Sequence, residues 1–211
     1  MPRKRSPTSV AAEIRSILQA EGSPEHAHGV QWFFKEEIQS HGWRTADLRR
    51  LSRQYHRALR EEHGLDFVVR LADRLFTGRV LEEKIFAVLL LEHLAARFDD
   101  THFALFESWL DRITTWADHD GLVHYLIAPM IKAEPARVRK VFAWAKSPDR
   151  WHRRAAAVAL IQGTRRKMFF LQVVRLSNLL LEEEDDMVQK GLGGCCAKPR
   201  KPIPDERCLI S

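Results

Sequence analysis

The sequence predicts an all-α fold in which pairs of helices stack into a curved α-solenoid. Apolar residues recur at helical spacing along most of the 211 residues. The segments between the helical stretches are roughly two to five residues long, which makes neighbouring helices antiparallel. Alternating strand patterns and Gly-rich phosphate loops are absent from the sequence. A series of short antiparallel pairs stacks most simply as a solenoid.

Helices in the first part of the chain are predicted over residues 10–19, 31–40 and 65–76, with a further helix opening near position 45. Gly42 is placed as the terminator of the second helix. Thr45 is the predicted N-cap of the third. Thr77 and the glycine that follows it end the helix over 65–76.

The segment 81–98 is the longest and most apolar of the predicted helices, so we expect it to be buried. The later helices are predicted over residues 102–113, 116–131, 136–145, 151–162, 167–181 and 184–192. One helical pair spans roughly 35 to 45 residues, the range of HEAT and armadillo units. The sequence shows no consensus motif that recurs from one helical pair to the next, so such repeats would be degenerate. An irregular all-α domain without repeats is the alternative.

The chain length suits one domain over residues 9–193, preceded by a basic arm at 1–8 and followed by an irregular tail at 194–211. The net charge of +6 favours polyanionic partners moderately. The three cysteines, Cys195, Cys196 and Cys208, match no common zinc pattern. Without a membrane-length apolar run or a signal-peptide pattern, the sequence predicts a cytoplasmic monomer that has no disulfide bond.

The most informative pair of residues is Trp116 and Asp120, at the start of a predicted helix. Residues four apart share a helix face, so the indole and the carboxylate should project side by side. A ring that packs on a sugar or a cationic base, beside a negative charge, suits a reaction that builds positive charge on a sugar. The alternative is a core tryptophan next to an aspartate at a helix start.

Two arginines, Arg153 and Arg154, lie in the first turn of the helix predicted from Trp151. Cations there oppose the helix dipole, so an anion should compensate them. A DNA phosphate and the internal carboxylates, Asp149 or the acidic run 182–186, are equally good candidates. That run should also favour the N-terminus of the last helix.

A second basic cluster contains Arg165 and Arg166, with a solvated loop as its alternative reading. His119, Asp120 and His124 offer metal-type side chains, but the spacing fixes no third ligand. We therefore expect no metal and no other cofactor.

The order of several motifs resembles the HEAT-like-repeat, AlkD-like DNA alkylation-repair glycosylases over about residues 30–194. Each motif is weak alone, but their order is fairly specific. The motifs are Phe34-Lys35 through Gly42, Thr45-x-x-Leu48-Arg49, Trp116-x-x-x-Asp120, Trp151-x-x-Arg154-Ala155-Ala156 and Val188-Gln189-Lys190-Gly191-Leu192-Gly193.

This resemblance implies a DNA repair enzyme that hydrolyses the glycosidic bond of cationic N3- or N7-alkylated purines in duplex DNA, without extruding the base in the usual way. Trp116 resembles the aromatic residue that packs on the lesion nucleotide, and Asp120 resembles the catalytic carboxylate. Arg154 resembles a phosphate contact. The other predicted DNA contacts are Trp151, Arg153, Arg165, Arg166 and Lys190. A non-catalytic HEAT-like scaffold that binds DNA or protein through a concave groove is the alternative.

One position departs from the family pattern: Gly194 stands where a second active-site tryptophan is usual. The tail that follows contains Pro199, Pro202 and Pro204, which block a helix. In the neighbouring reading frame, codons compatible with the tail spell Trp-Leu-Leu-Arg-Glu-Ala-Ala-Lys, an amphipathic helix in the family's register. A frameshift and a genuinely divergent C-terminus therefore both account for the tail.

Overall fold

The structure, a computed structural model, describes residues 5–164 and 168–196. This part of the chain is all-helical, as predicted, with an isolated bridge between Gln39 and Val80 and no sheet. Within the same residues, no helix is long and apolar enough to cross a membrane. The chain divides into two compact units, Met1–Glu92 and His93–Ser211.

The first unit contains four helices in its described residues: α1 (Pro7–Ala20), α2 (Pro24–Gln31), α3 (Thr45–Phe76) and α4 (Leu81–Leu91). Its core forms where α4 packs along α3 and α1 packs on both. The predicted burial of this apolar segment is confirmed for α4, in which Phe86, Ala87 and Leu91 are fully buried.

The helix predicted over residues 31–40 is wrong. The helix in this region is α2, which starts earlier because Ser23 caps it and Pro24 occupies its first turn. The Gln31 side chain then donates to the carbonyl of Glu36 and accepts from the amide of Ile38, and this fixes a non-helical loop. The Glu82 carboxylate accepts the amides of His41 and Gly42 and holds the end of that loop.

The boundaries of α3 and α4 also differ from the prediction. Thr45 is the first residue of α3 and Arg44 precedes it as the N-cap, without a side-chain cap. A kink at Gly64, with φ of 79°, separates the predicted helix over 65–76 from the preceding turns. Helix α4 ends at Leu91, short of the predicted position 98, although Leu94 and Phe98 beyond it are buried. Because these two apolar residues follow Leu91 at helical spacing, the sequence pattern extended the predicted helix too far.

The second unit carries the remaining helices. They are α5 (Asp100–Ser108), α6 (Trp116–Leu122), α7 (Ala128–Ala133), α8 (Val138–Trp144), α9 (Arg150–Ala159), α10 (Ile161–Thr164), α11 (Phe170–Leu179) and α12 (Asp186–Cys196). Helix α9 is central to this unit, because α6, α8 and α12 all pack against it. The side chains that define the candidate site therefore meet around α9.

A π-helical turn, Val123–Ile127, joins α6 to α7. The predicted helix over 116–131 is thus a continuous helical stretch with a wider turn inside it. Pro129, in the first turn of α7, has no amide to donate to the preceding turn, and the π turn lies where that hydrogen bond would be lost. Such turns recur at functional sites.

Helix α12 runs to Cys196, past the predicted end at position 192 and past the predicted start of the irregular tail at Gly194. Residues 197–211, which hold the prolines of that tail, lie outside the described residues. On α11, Phe170 and Leu171 are largely exposed, whereas Val188 of α12 is buried.

Candidate active site

The start of α6 is fixed by a reciprocal cap. Thr115 is the N-cap, and its hydroxyl accepts the amide of Asp118. The buried Asp118 carboxylate accepts in return the amides of Thr114 at 3.0 Å and Thr115 at 2.7 Å. This capping box satisfies amides that a helix start leaves without partners. It also fixes the backbone at the start of α6, where Trp116 is the first residue.

Solvent exposure along α6 is confined to two positions. Trp116 and Asp120 are partly exposed, whereas the other five residues of the helix are buried. Both residues of the predicted pair therefore lie on the part of α6 that solvent reaches, and the side-by-side projection of the indole and the carboxylate stays a prediction. Asp120 keeps 35% of its side chain exposed. The part of α6 that solvent reaches thus carries a ring and a carboxylate about one helical turn apart.

The Asp120 carboxylate is held by a buried arginine of α9. Arg154 Nε donates to Asp120 Oδ1 at 3.0 Å, and Nη2 donates to Oδ2 at 2.7 Å. Its remaining guanidinium nitrogen, Nη1, donates to the carbonyl of Met187 in α12. A paired fork of this kind fixes the plane of a carboxylate as well as its charge. Only 8% of the Arg154 side chain is exposed.

A histidine of the same helix also contacts Asp120. His119 Nδ1 lies 2.7 Å from Asp120 Oδ1, and His119 Nε2 lies 3.1 Å from the carbonyl oxygen of Trp151. The His119 side chain is fully buried. The Trp151 ring covers it, with centroids 5.6 Å apart. His119 thus links α6 to the first turn of α9.

The pKa of Asp120 is lowered in the folded protein. Burial raises the pKa of this carboxyl, but hydrogen bonds and charge from His119 and Arg154 outweigh it. Asp120 is therefore an anion at neutral pH and a weak base. This favours an electrostatic role over proton abstraction.

The other arginines at the start of α9 are compensated within the protein. Arg153 Nε donates to Glu183 at 2.6 Å, and Arg150 Nη2 donates to Asp185 at 3.1 Å. Asp149 caps α9 by accepting two of its first amides. The sequence left a DNA phosphate and internal carboxylates open as partners of these arginines, and in the structure internal carboxylates pair with them.

Residues 14–197 match the profile of a family described as DNA alkylation repair enzyme. The chain belongs to the DNA alkylation repair enzyme family. The resemblance seen in the sequence motifs is thereby confirmed, and it gives the chain a DNA repair role. No curated protein matches the chain.

Helix α12 of this DNA alkylation repair protein approaches α9 closely. A Cβ added at Gly191 would lie 3.3 Å from Val158 and 3.4 Å from both Ala157 and Arg154. Asp185 also accepts the amides of Met187 and Val188, so the acidic run does stabilise the start of α12 as predicted. The close approach places the Met187 carbonyl against Arg154.

The predicted DNA contacts fall into three groups. Arg153 and Arg154 are engaged by carboxylates, and Trp151 packs on His119. Lys190 is 58% exposed and pairs with Asp186 on the same helix. Arg165 and Arg166 lie outside the described residues. For all of these residues, contact with DNA stays a prediction.

Metal-type side chains near the site have other partners. His119 is engaged as described, and the His124 ring packs edge-on against Tyr125 at 4.8 Å. Within residues 5–164 and 168–196, no group of three His, Cys, Asp or Glu side chains is arranged to hold a metal ion.

Sequence reasoning missed the connections of His119 and the carbonyl of Met187. Both contacts span more than thirty residues along the chain, since His119 meets Trp151 at a separation of 32 and Arg154 meets Met187 at 33. A usable signal was present for His119: it precedes Asp120 on the buried side of a short helix. A carbonyl contact leaves no signal in side-chain identity.

Proposed function

We propose that this protein is a DNA glycosylase that hydrolyses the N-glycosidic bond of cationic N3- or N7-alkylated purines in duplex DNA. Asp120 is the catalytic carboxylate and Trp116 packs against the sugar or base of the lesion. The observation that carries this proposal is the exposure pattern of α6, whose partly exposed residues are these two. Membership of the DNA alkylation repair enzyme family supports it.

The chemistry suits an ionised carboxylate. An N-alkylated purine already carries a positive charge, so cleavage of its bond to C1′ releases a neutral base without a proton donor. Positive charge develops on the sugar, and the Asp120 anion stabilises it. Water then adds to C1′ and gives up a proton. The indole of Trp116 stabilises a neighbouring cation by about 0.5–2 kcal/mol.

The hydrogen bonds of Asp120 leave it able to act. Among the described residues, Arg154 donates twice to Asp120 and His119 Nδ1 lies within hydrogen-bond distance of Oδ1, whereas a carboxylate has about four acceptor positions. Oδ2 accepts a single donor among these, at 2.7 Å. We assign this oxygen, on the partly exposed carboxylate, to the sugar and the attacking water.

The proposed arrangement of the helices is a HEAT-like stack. Within the second unit, α9 packs on α8, which precedes it, and on α12. Contact between successive helical layers is what such a repeat requires.

A non-catalytic protein that binds DNA or another protein is the second candidate function. It is favoured by Gly194, which stands at the position of the family's second active-site tryptophan. This candidate predicts DNA binding that weakens log-linearly with salt and is accompanied by no base release.

The deciding assay measures release of 7-methylguanine and 3-methyladenine from methylated duplex DNA. We expect release by the wild-type protein and a roughly 10²- to 10³-fold slower rate for Asp120→Asn. Asp111→Asn removes the same charge from a carboxylate that is 70% exposed in the same unit, and should leave the rate unchanged. Circular dichroism should show that both variants are folded.

Two results would contradict the proposal. If the wild-type protein binds DNA but releases no base, the non-catalytic candidate is correct. If the wild-type protein releases base and folded Asp120→Asn releases it equally fast, the enzyme is a glycosylase in which Asp120 is not the catalytic carboxylate.

A further inference from the structure

His119 is buried, and both of its ring nitrogens face oxygen atoms. The carbonyl oxygen of Trp151, 3.1 Å from Nε2, can only accept, so Nε2 must carry a proton. Asp120 Oδ1 lies 2.7 Å from Nδ1 and also accepts from Arg154 Nε. Both oxygens of this carboxyl accept from the Arg154 fork and its pKa is lowered, so Oδ1 carries no proton at neutral pH. Nδ1 must therefore donate as well.

We propose that His119 acts as an imidazolium that positions the catalytic carboxylate. This inference rests on the proposed function of Asp120. The doubly protonated ring donates to Asp120 with one nitrogen and to the backbone of α9 with the other, so it connects the carboxylate to the helix that carries Arg154. Together with the arginine fork, it fixes the plane of the Asp120 side chain from two directions.

A neutral ring cannot make both contacts. If Nδ1 loses its proton, two acceptors face each other across 2.7 Å, and the carboxylate must turn away from the ring. If Nε2 loses its proton, the ring loses its connection to the Trp151 carbonyl. Either loss moves Asp120 or the first turn of α9.

Two charged groups meet at the contact between His119 and Asp120. Asp120 is the anion in direct contact, and Arg154 is the cation on its far side. The other titratable groups of α6, the π turn and the start of α9 have partners of their own. They are Asp118, which caps the start of α6, His152, which faces Asp149 and Asp111, Arg150, which pairs with Asp185, Arg153, which pairs with Glu183, and His124, which packs on Tyr125. Among these groups, Asp120 is therefore the anion that contacts the His119 ring directly.

Two variants separate this role from simple core packing. His119→Leu fills the space but donates to neither acceptor. His119→Asn retains a donor near the position of Nδ1 and cannot titrate. His124→Asn is the matched control, since His124 is a partly exposed histidine on the adjoining π turn.

We expect His119→Leu to lower the single-turnover rate of base release about 10- to 100-fold, the effect of losing one charge-assisted hydrogen bond to a catalytic group. The KM for methylated DNA should change less than about threefold. His119→Asn should recover most of the rate.

The inference has a readout that does not depend on activity. Nitrogen-15 spectra of histidine-labelled wild-type protein at pH 7, with His119 assigned by its absence from His119→Asn, should show both ring nitrogens protonated. A single protonated nitrogen would overturn the inference, whatever the enzyme does. An undiminished rate in folded His119→Leu would also overturn it. Absent base release by wild type would instead remove the proposed function, and the spectra alone would then decide the state of His119.

Discussion

Replacing Arg154 by alanine tests whether this arginine holds Asp120 within the protein, as an internal clamp, or contacts a DNA phosphate. The sequence motif suggests a phosphate contact, whereas the structure shows a buried guanidinium bound to Asp120 and to the Met187 carbonyl. The two roles predict different results. An internal clamp stabilises the fold and orients the catalytic group, whereas a phosphate contact adds to DNA affinity and to its salt dependence.

The expected loss of stability follows from the contacts. Removing one partner of a buried ion pair costs about 3–5 kcal/mol. The Arg154 side chain is 8% exposed, but Asp120 is 35% exposed, and water partly replaces the lost partner of the carboxylate. We therefore expect the free energy of unfolding to fall by about 2–3 kcal/mol in Arg154→Ala.

The measurement is urea unfolding together with DNA binding at several salt concentrations. For a clamp, the slope of log K against log salt should stay at the wild-type value while base release slows about 10- to 100-fold. Arg175→Ala, which removes an exposed cation from α11, is the control for charge alone. If Arg154→Ala keeps wild-type stability and lowers the salt slope by about 0.9, the clamp is wrong and Arg154 contacts a phosphate.

Three further predictions concern the charges around α9 and the tail. A double-mutant cycle between Arg153 and Glu183 should give a coupling of about 1 kcal/mol in urea unfolding, and a value near zero would contradict their pairing. The hydrogen bond from Arg153 lowers the pKa of Glu183, and the pKa of Asp120 is also lowered in the folded protein. Both carboxylates therefore stabilise the folded state fully above the usual carboxyl pKa of about 4, and this stabilisation is lost as the pH falls through their lowered folded pKa values. Urea unfolding between pH 7 and pH 3 should show this loss, with a smaller loss in Asp120→Asn. The coding DNA from Gly193 onward should spell Trp-Leu-Leu-Arg in the neighbouring frame, and any other reading ends the frameshift hypothesis.

The sequence predicted the exposed pair, Trp116 and Asp120, because their positions on one helix face depend on local spacing alone. Trp116 and Asp120 are four residues apart, and the period of the helix alone places them on one face. The cap at Thr115 follows equally from a short stretch of sequence. Neither depends on how distant helices pack, so both could be read without the structure.

The partners of the pair depended on long-range packing. Asp120 and Arg154 are separated by 34 positions, and the sequence offered a phosphate and internal carboxylates as equal partners for the arginines of α9. In the structure, internal carboxylates pair with Arg150 and Arg153, and the close approach of α12, which the small Gly191 allows, places the Met187 carbonyl against Arg154. The predicted helix over 31–40 failed for a related reason: the Glu82 carboxylate that holds that loop is about forty positions away.

The last prediction concerns position 194, where the family usually has a tryptophan and this chain has glycine. Helix α12 extends through this position to Cys196. Residue 194 follows Gly191 by three positions and Met187 by seven, so it shares the helix face that meets α9 and Arg154. The clamp on Asp120 uses the Met187 carbonyl and needs no side chain at 194, so the missing ring and the arginine clamp are separable.

We therefore expect Gly194→Trp to increase the single-turnover rate of base release without changing the orientation of Asp120. An indole beside a developing cation contributes about 0.5–2 kcal/mol, which corresponds to roughly 2- to 30-fold. Gly193→Trp is the matched control, because Gly193 is exposed and a Cβ added there meets nothing within 4 Å. Equal rates for Gly194→Trp and Gly193→Trp would show that the face of α12 at position 194 does not reach the reacting sugar, and that the site works with the tryptophan of α6 alone.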